Sequence, residues 1–282
     1  RQMDLLGTPA ACRAALQIQG AHRSEQGLAQ CQIRADIDRL TLKGTSATDL
    51  RGVLDYDPQT RTWHGEQVWG RFYGGRLDGR VEFGQGTDQA GVLQVQLGVD
   101  QANLADLLSD HAGSAPNRGT PSTGTLNGRL ALTIPLDSPA ERLGHLEFLI
   151  SDMQIGKASP LSRILDVLRL SDPSDFLFER MEVDSYIRGD KLWIEQLDMS
   201  GNSVAFQGSG VLDLDKDDLN LTLLARSRRR LAHAEPTALQ ALTEGLGGAA
   251  VRMEIAGPLS NPSASTKPLP VLQESLKILG TP

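Results

Sequence analysis

Met181-Glu182-Val183-Asp184-Ser185-Tyr186-Ile187-Arg188-Gly189-Asp190-Lys191 is the stretch from which the fold can be read. Met181, Val183, Ser185 and Ile187 share one phase; Glu182, Asp184, Tyr186 and Arg188 share the other. Successive side chains of a strand point to opposite faces, so a period of two predicts a strand with one apolar and one polar face. Gly189-Asp190 then supplies the backbone freedom of a tight hairpin turn. The pattern repeats downstream. Val204, Phe206, Gly208, Gly210, Leu212 and Leu214 alternate with polar or small residues, as do Leu219, Leu221 and Leu223, and then Val251, Met253 and Ile255. Ser200–Ser203 and Asp215–Asp218 carry turn chemistry between these runs. The expectation is an antiparallel meander, best defined from Met181 to Ala225, with one solvated face.

Upstream, Leu126, Gly128, Leu130, Leu132 and Ile134 alternate in the same way, followed by Leu146, Phe148 and Ile150. Earlier strands are expected near Leu16–Gly20, Ile33–Leu42, Val53–Tyr56, Val68–Tyr73, Arg76–Phe83 and Leu93–Val99. Helices are few and short. Ser159-Pro160 opens one carrying Leu161, Ile164, Leu165 and Leu168 on one face. Others are expected at Asn103–Asp110, after Pro236, and at Val271–Leu279. Residues 111–123 lack large apolar side chains and read as a flexible linker. They divide the chain into a β-rich N-terminal part, residues 1–110, and a β-meander with short helices, residues 124–282. Gly75–Val81 and Gly124–Leu130 share the pattern Gly-x-Leu-x-Gly-Arg-apolar, which suggests hairpins reused along one sheet.

Composition narrows the function classes. The 282 residues are 39% hydrophobic and 22% charged, a folded composition that excludes wholesale disorder. The net charge of −7 argues against a general nucleic-acid binder, which needs a basic surface to displace phosphate counterions. No apolar run is long enough for a membrane-spanning helix. The chain opens Arg1-Gln2-Met3-Asp4-Leu5-Leu6, with neither initiator Met nor signal-peptide core, and reads as a piece of a longer protein. Cys12 and Cys31 allow either one disulfide or two buried thiols.

Catalytic chemistry is not visible. The histidines, His22, His64, His111, His145 and His233, form no ligand pair, so no metal site is expected. Ser209 lies between glycines on a strand and lacks the elbow of a nucleophilic serine. Asp213, Asp215, Asp217 and Asp218 lack the glycine and final Glu of a calcium loop. No phosphate loop or dinucleotide fingerprint is present, and no cofactor is expected. The basic run Arg226, Arg228, Arg229 and Arg230 reads as a solvated loop or as a contact for anionic lipid headgroups.

From Gly124 onward the chain resembles the C-terminal region of the AsmA-like family of bacterial envelope proteins. The resemblance is carried, in order, by Gly124–Leu130, Ile155–Leu161, Tyr186–Leu192 with Leu197–Gly201, Phe206–Leu214, and the close Ile255–Pro262. Leu28–Leu108 is similar more loosely, through Trp69–Leu77. The resemblance implies a mainly β fold, an elongated, curved antiparallel sheet with an apolar groove and a few short helices. It also implies a periplasmic location, an upstream helix anchoring the protein in the inner membrane, and a non-catalytic role in moving phospholipid between membranes or in outer-membrane assembly. In that reading Val183, Ile187, Val204, Phe206, Val251, Met253 and Ile255 merge into one apolar stripe facing acyl chains. A closed β-sandwich, in which the same residues are ordinary core, is the other reading of the alternation. A structural scaffold of the cell envelope, acting through sheet edges, is the alternative function.

Overall fold

The computed structural model describes residues 12–23, 27–42, 44–85, 91–111, 122–156, 176–202, 204–227, 251–259 and 262–267. They form one open, curved antiparallel sheet of 14 strands in chain order. The strands are β1 (Cys12–Arg23), β2 (Gly27–Leu42), β3 (Thr45–Asp57), β4 (Thr62–Phe72), β5 (Gly75–Gln85), β6 (Gly91–Asn103), β7 (Thr123–Pro135), β8 (Leu143–Gln154), β9 (Leu177–Arg188), β10 (Lys191–Gly201), β11 (Val204–Asp213), β12 (Asp218–Ser227), β13 (Val251–Pro258) and β14 (Ser263–Lys267). The helix α1 (Leu104–His111) lies between β6 and β7, and a 3-10 turn spans Pro139–Glu141. The mainly β, antiparallel architecture is as the alternation implied, and its elongated, curved form is as the resemblance implied. The sheet runs without interruption across residues 112–121, because β6 pairs directly with β7.

Register explains why one face is apolar throughout. Gly70, Leu77, Val99, Gly128, Phe148, Val183, Leu197, Gly208, Leu223 and Met253 are successive partners from β4 to β13. A slip of one residue anywhere would send a whole strand's apolar set to solvent. Glycines in this row and the next admit close contacts: a methyl at Gly79 would run into the Gln96 carbonyl oxygen, and one at Gly208 into that of Thr222.

Strict alternation fails at bulges, where one extra residue reverses the phase. On β6 the apolar phase changes from Val99 to Ala102 across Gln101, whose φ is 57°. On β8 it changes from Ile150 to Met153 across Asp152, φ 51°, and on β3 from Leu50 to Ala47 across Asp49, φ 52°. These bulges sit at the end of the sheet where α1 docks, and Ala102, Met153 and Phe178 beyond them are almost fully buried. Asn103 caps α1 as its side-chain oxygen accepts from Ala105 N–H at 2.8 Å, so the helix expected at Asn103–Asp110 is present. The expected helices at 160–170, 236–246 and 271–279 lie outside the described residues.

The hairpin turns follow their sequences. β9 and β10 are joined by Gly189-Asp190, with Gly189 at φ 59°. Arg142 latches this turn, donating to the Gly189 carbonyl at 2.9 Å and to the Asp190 carboxylate at 2.7 Å. The Lys216 backbone N–H, together with that of Asp215, holds the Asp213 carboxyl below its ordinary range. Gln59 N–H and the Thr60 hydroxyl do the same for Asp57.

The cysteine question is decided by register. Cys12 stands opposite Leu40, whereas Cys31 stands opposite Gly20 on β1 and Tyr56 on β3. Positions 12 and 20 are about 26 Å apart along an extended strand. A disulfide needs Cα atoms within about 7 Å, so the two do not bridge within the chain. Cys31 is a free, buried thiol.

Two outcomes follow. Gly79→Val should cost about 1–3 kcal/mol of stability, as overpacking does, and this is read as a lower urea midpoint. Asp213→Ala should lower the melting temperature at neutral pH. The folded carboxyl titrates below the unfolded value of about 3.9, so its contribution is present above that pH and is lost as pH falls through the folded value. The gap between variant and wild type should accordingly close in acid when melting is followed against pH.

Candidate functional site

The apolar face is one surface in two states of burial. Across β8–β13 it is covered: Val183 is 3% exposed, Ile255 1%, and Val204, Phe206 and Met253 are fully buried. They join Ile150, Leu197, Met199, Leu221 and Leu223 in one cluster, which also includes Leu104 of α1. Phe178 and Phe206 meet here with ring centroids 6.1 Å apart. Val251 packs at the cluster's edge. Ile187, half-buried, pairs instead with Leu192 and Gly144. The structure thus brings the seven stripe residues to one face, with five of them in fully covered positions. Ser185, on the same phase, is buried without cost because its hydroxyl donates to the Leu146 carbonyl at 2.7 Å.

Toward the other edge the same face opens. Leu50 and Leu77 are still buried, Ile33, Ala35, Ile37 and Leu54 are half-buried, and Phe83 is 39% exposed. On β1, Leu16 is 60% and Ile18 66% exposed. These residues continue the stripe in register: Ile18 stands opposite Ile33, and Ile33 opposite Leu54. They are the positions that reading the C-terminal strands overlooked. Their signal was the same alternation, which says that a face is apolar but not how far it is covered.

One end of this face is closed by α1. Leu104 is buried and Leu107 packs on the cluster. The Tyr73 hydroxyl accepts from Ser46 N–H at 3.0 Å and donates to Asp110 of α1 at 2.8 Å, tying the helix to β3. Burial, with Asp110 adding to it, pushes the Tyr73 hydroxyl above its usual range.

The opposite face is polar and laced with paired charges. Asp36 meets Arg51 at 2.9 Å, Arg129 meets Glu147 at 3.4 Å, and His145 meets Asp184 at 2.6 Å. Such exposed pairs contribute little stability each. Arg226 is exposed and lies in the polar phase of β12, on the face opposite the stripe. Arg228, Arg229 and Arg230 lie outside the described residues. Among the described residues no group of His, Cys, Asp and Glu is arranged to hold a metal ion, and no helix is long and apolar enough to cross a membrane. Comparison with protein-family models, curated proteins and solved structures gives no match.

The two burial states predict opposite responses to charge. Phe206→Asp and Val183→Asp place an unpaired carboxylate in covered positions and should cost at least about 3 kcal/mol, enough to unfold the domain. Ile18→Asp, at an exposed position, should melt close to wild type. Thermal melts of the three variants check this.

Proposed function

We propose that the part of the apolar face that opens from the partly buried strands β3–β6 to the exposed edge at β1 receives the acyl chains of phospholipid, and that the protein is a non-catalytic lipid-binding or lipid-conducting module of the bacterial envelope. The observation that carries this reading is a single apolar face, continuous in register, that passes from full burial to an edge where Leu16 and Ile18 are mostly exposed. Fourteen strands at about 4.8 Å spacing make a sheet about 60 Å along its hydrogen-bonding direction. The part from β1 to β6 takes up about 24 Å of this, and a contiguous exposed apolar surface marks a binding site. An acyl chain gains about 0.8 kcal/mol per methylene buried, so a trough without specific polar contacts suffices to hold it. The AsmA-like resemblance adds a periplasmic location, an upstream inner-membrane anchor and a role in outer-membrane homeostasis.

The scaffold reading is favoured by one observation, the long edge strand β1, to which a partner strand could add. Native mass spectrometry after gentle purification separates the two. Phospholipid should co-purify with the wild-type chain, and Ile18→Asp combined with Ile33→Asp should remove most of it while the fold survives. A chain that is lipid-free throughout, yet pairs with partners through β1, would favour the scaffold.

A further inference from the structure

The polar face is not flat. Between Trp69 on β4 and Glu147 on β8 it dips into an open cavity of about 1070 Å³. Register sets one rung of residues across it. Trp69 stands opposite Asp78, Asp78 opposite Gly98, Gly98 opposite Arg129, and Arg129 opposite Glu147. Gly98 has no side chain, so the rung has a gap at its centre between Asp78 and Arg129. Packing does not demand that glycine: an added Cβ would touch only Asp78, no closer than 3.8 Å.

Trp69 forms one wall. The Arg51 guanidinium lies 5.0 Å from the centroid of its ring, and Arg51 is fixed by Asp36 at 2.9 Å. Arg51 lines the neighbouring depression and not this cavity, whereas Trp69 lines both. Trp69 thus stands on the ridge between the two depressions, with Arg51 on one side of it and the cavity on the other. Trp69 is 47% exposed on the polar face, which carries one other exposed aromatic group, Trp193 stacked on Tyr186, on β9 and β10. The Trp69 ring is a flat apolar platform held in place before any ligand arrives, which spares the ordering cost of binding.

The lining charges cancel. Arg76, Arg80 and Arg129 stand against Glu66, Asp78 and Glu147. An anion would meet three carboxylates and a cation three guanidinium groups, while an apolar ligand would strip water from all six. A neutral ligand with many hydroxyls meets no like charge and returns hydrogen bonds in place of the water it displaces. Arg80 donates through Nε to Gln96 at 2.9 Å and makes no ion pair among the described residues, leaving its outer N–H groups for a ligand. Guanidinium, amide and carboxylate groups in this setting offer planar, two-pronged hydrogen bonding to neighbouring hydroxyls.

We infer that this cavity is a carbohydrate-binding site, in which a pyranose ring stacks its C–H face on Trp69 and its hydroxyls bond to Asp78, Arg80, Gln96 and Arg129 above the Gly98 floor. The volume lies at the top of the range for small-molecule sites, about 300–1,000 Å³, and suits an oligosaccharide rather than one sugar ring. The site lies on the face opposite the proposed acyl-chain surface and stands or falls independently of it.

The test is tryptophan fluorescence and titration calorimetry of the full chain with maltohexaose, cellohexaose and chitohexaose. At least one should bind saturably. Trp69→Ala and Gly98→Val should each weaken that binding by about tenfold or more with the melting temperature little changed. Trp193→Phe, on β10 outside the cavity, should bind as wild type does. Lipid co-purification should be unaffected by Trp69→Ala. The assignment is overturned if none of the three sugars binds, if both cavity variants bind undiminished, or if inorganic phosphate binds more tightly than any of them.

Discussion

Everything in this structure depends on the backbone ladder being in register across all 14 strands. Each antiparallel pair fixes which side chains stand opposite each other, and thirteen consecutive pairings keep every strand's apolar phase on the same side. No single strand buries enough surface to be stable alone. The row from Gly70 to Met253 turns ten weak alternations into one continuous apolar surface. The same register produces the polar rung from Arg51 and Trp69 to Glu147 and Asp184 on the other side. Two faces of opposite chemistry are thus products of one constraint.

Bulges then shape what register alone would leave flat. The extra residues at Asp49, Gln101 and Asp152 reverse the phase at one end of the strands and carry Ala102 and Met153 back under cover beside Leu104 of α1. Those backbones are in the left-handed region, which side chains other than Gly enter at some cost. The cost is accepted where it bends the strands and docks a helix. Tyr73, held by Ser46 and Asp110, secures that corner.

The functional contrast lies between the covered and open parts of the apolar face. A closed sandwich would bury all of it, and an open trough would expose all of it. This chain does both, with Phe206 and Met253 fully covered and Ile18 mostly exposed on the same continuous surface. Acyl-chain binding, as proposed, uses the open part and relies on the covered part for stability. The polar face is left free for a different kind of ligand, and its paired charges and exposed Trp69 differ in chemistry from anything on the apolar side.

Local chemistry was legible from residues alone. Alternation at Met181–Ile187 and Val204–Leu212 identified strands and their faces, because a strand's side-chain period is a property of its own backbone. Gly189-Asp190 and Asp213 identified turns, and Asn103 a helix cap, for the same reason: each acts on neighbours a few residues away. The bulges were not legible, since Gln101 and Asp152 look like ordinary polar strand residues until a partner strand shows them to be surplus. The fate of Cys12 and Cys31 depended on those registers, and β1–β2 pairing sets them far apart. Ile18 and Phe206 carry the same alternating signal. Only the tertiary structure exposes one and buries the other, because burial is decided by what lies across the sheet, which an alternating sequence does not encode.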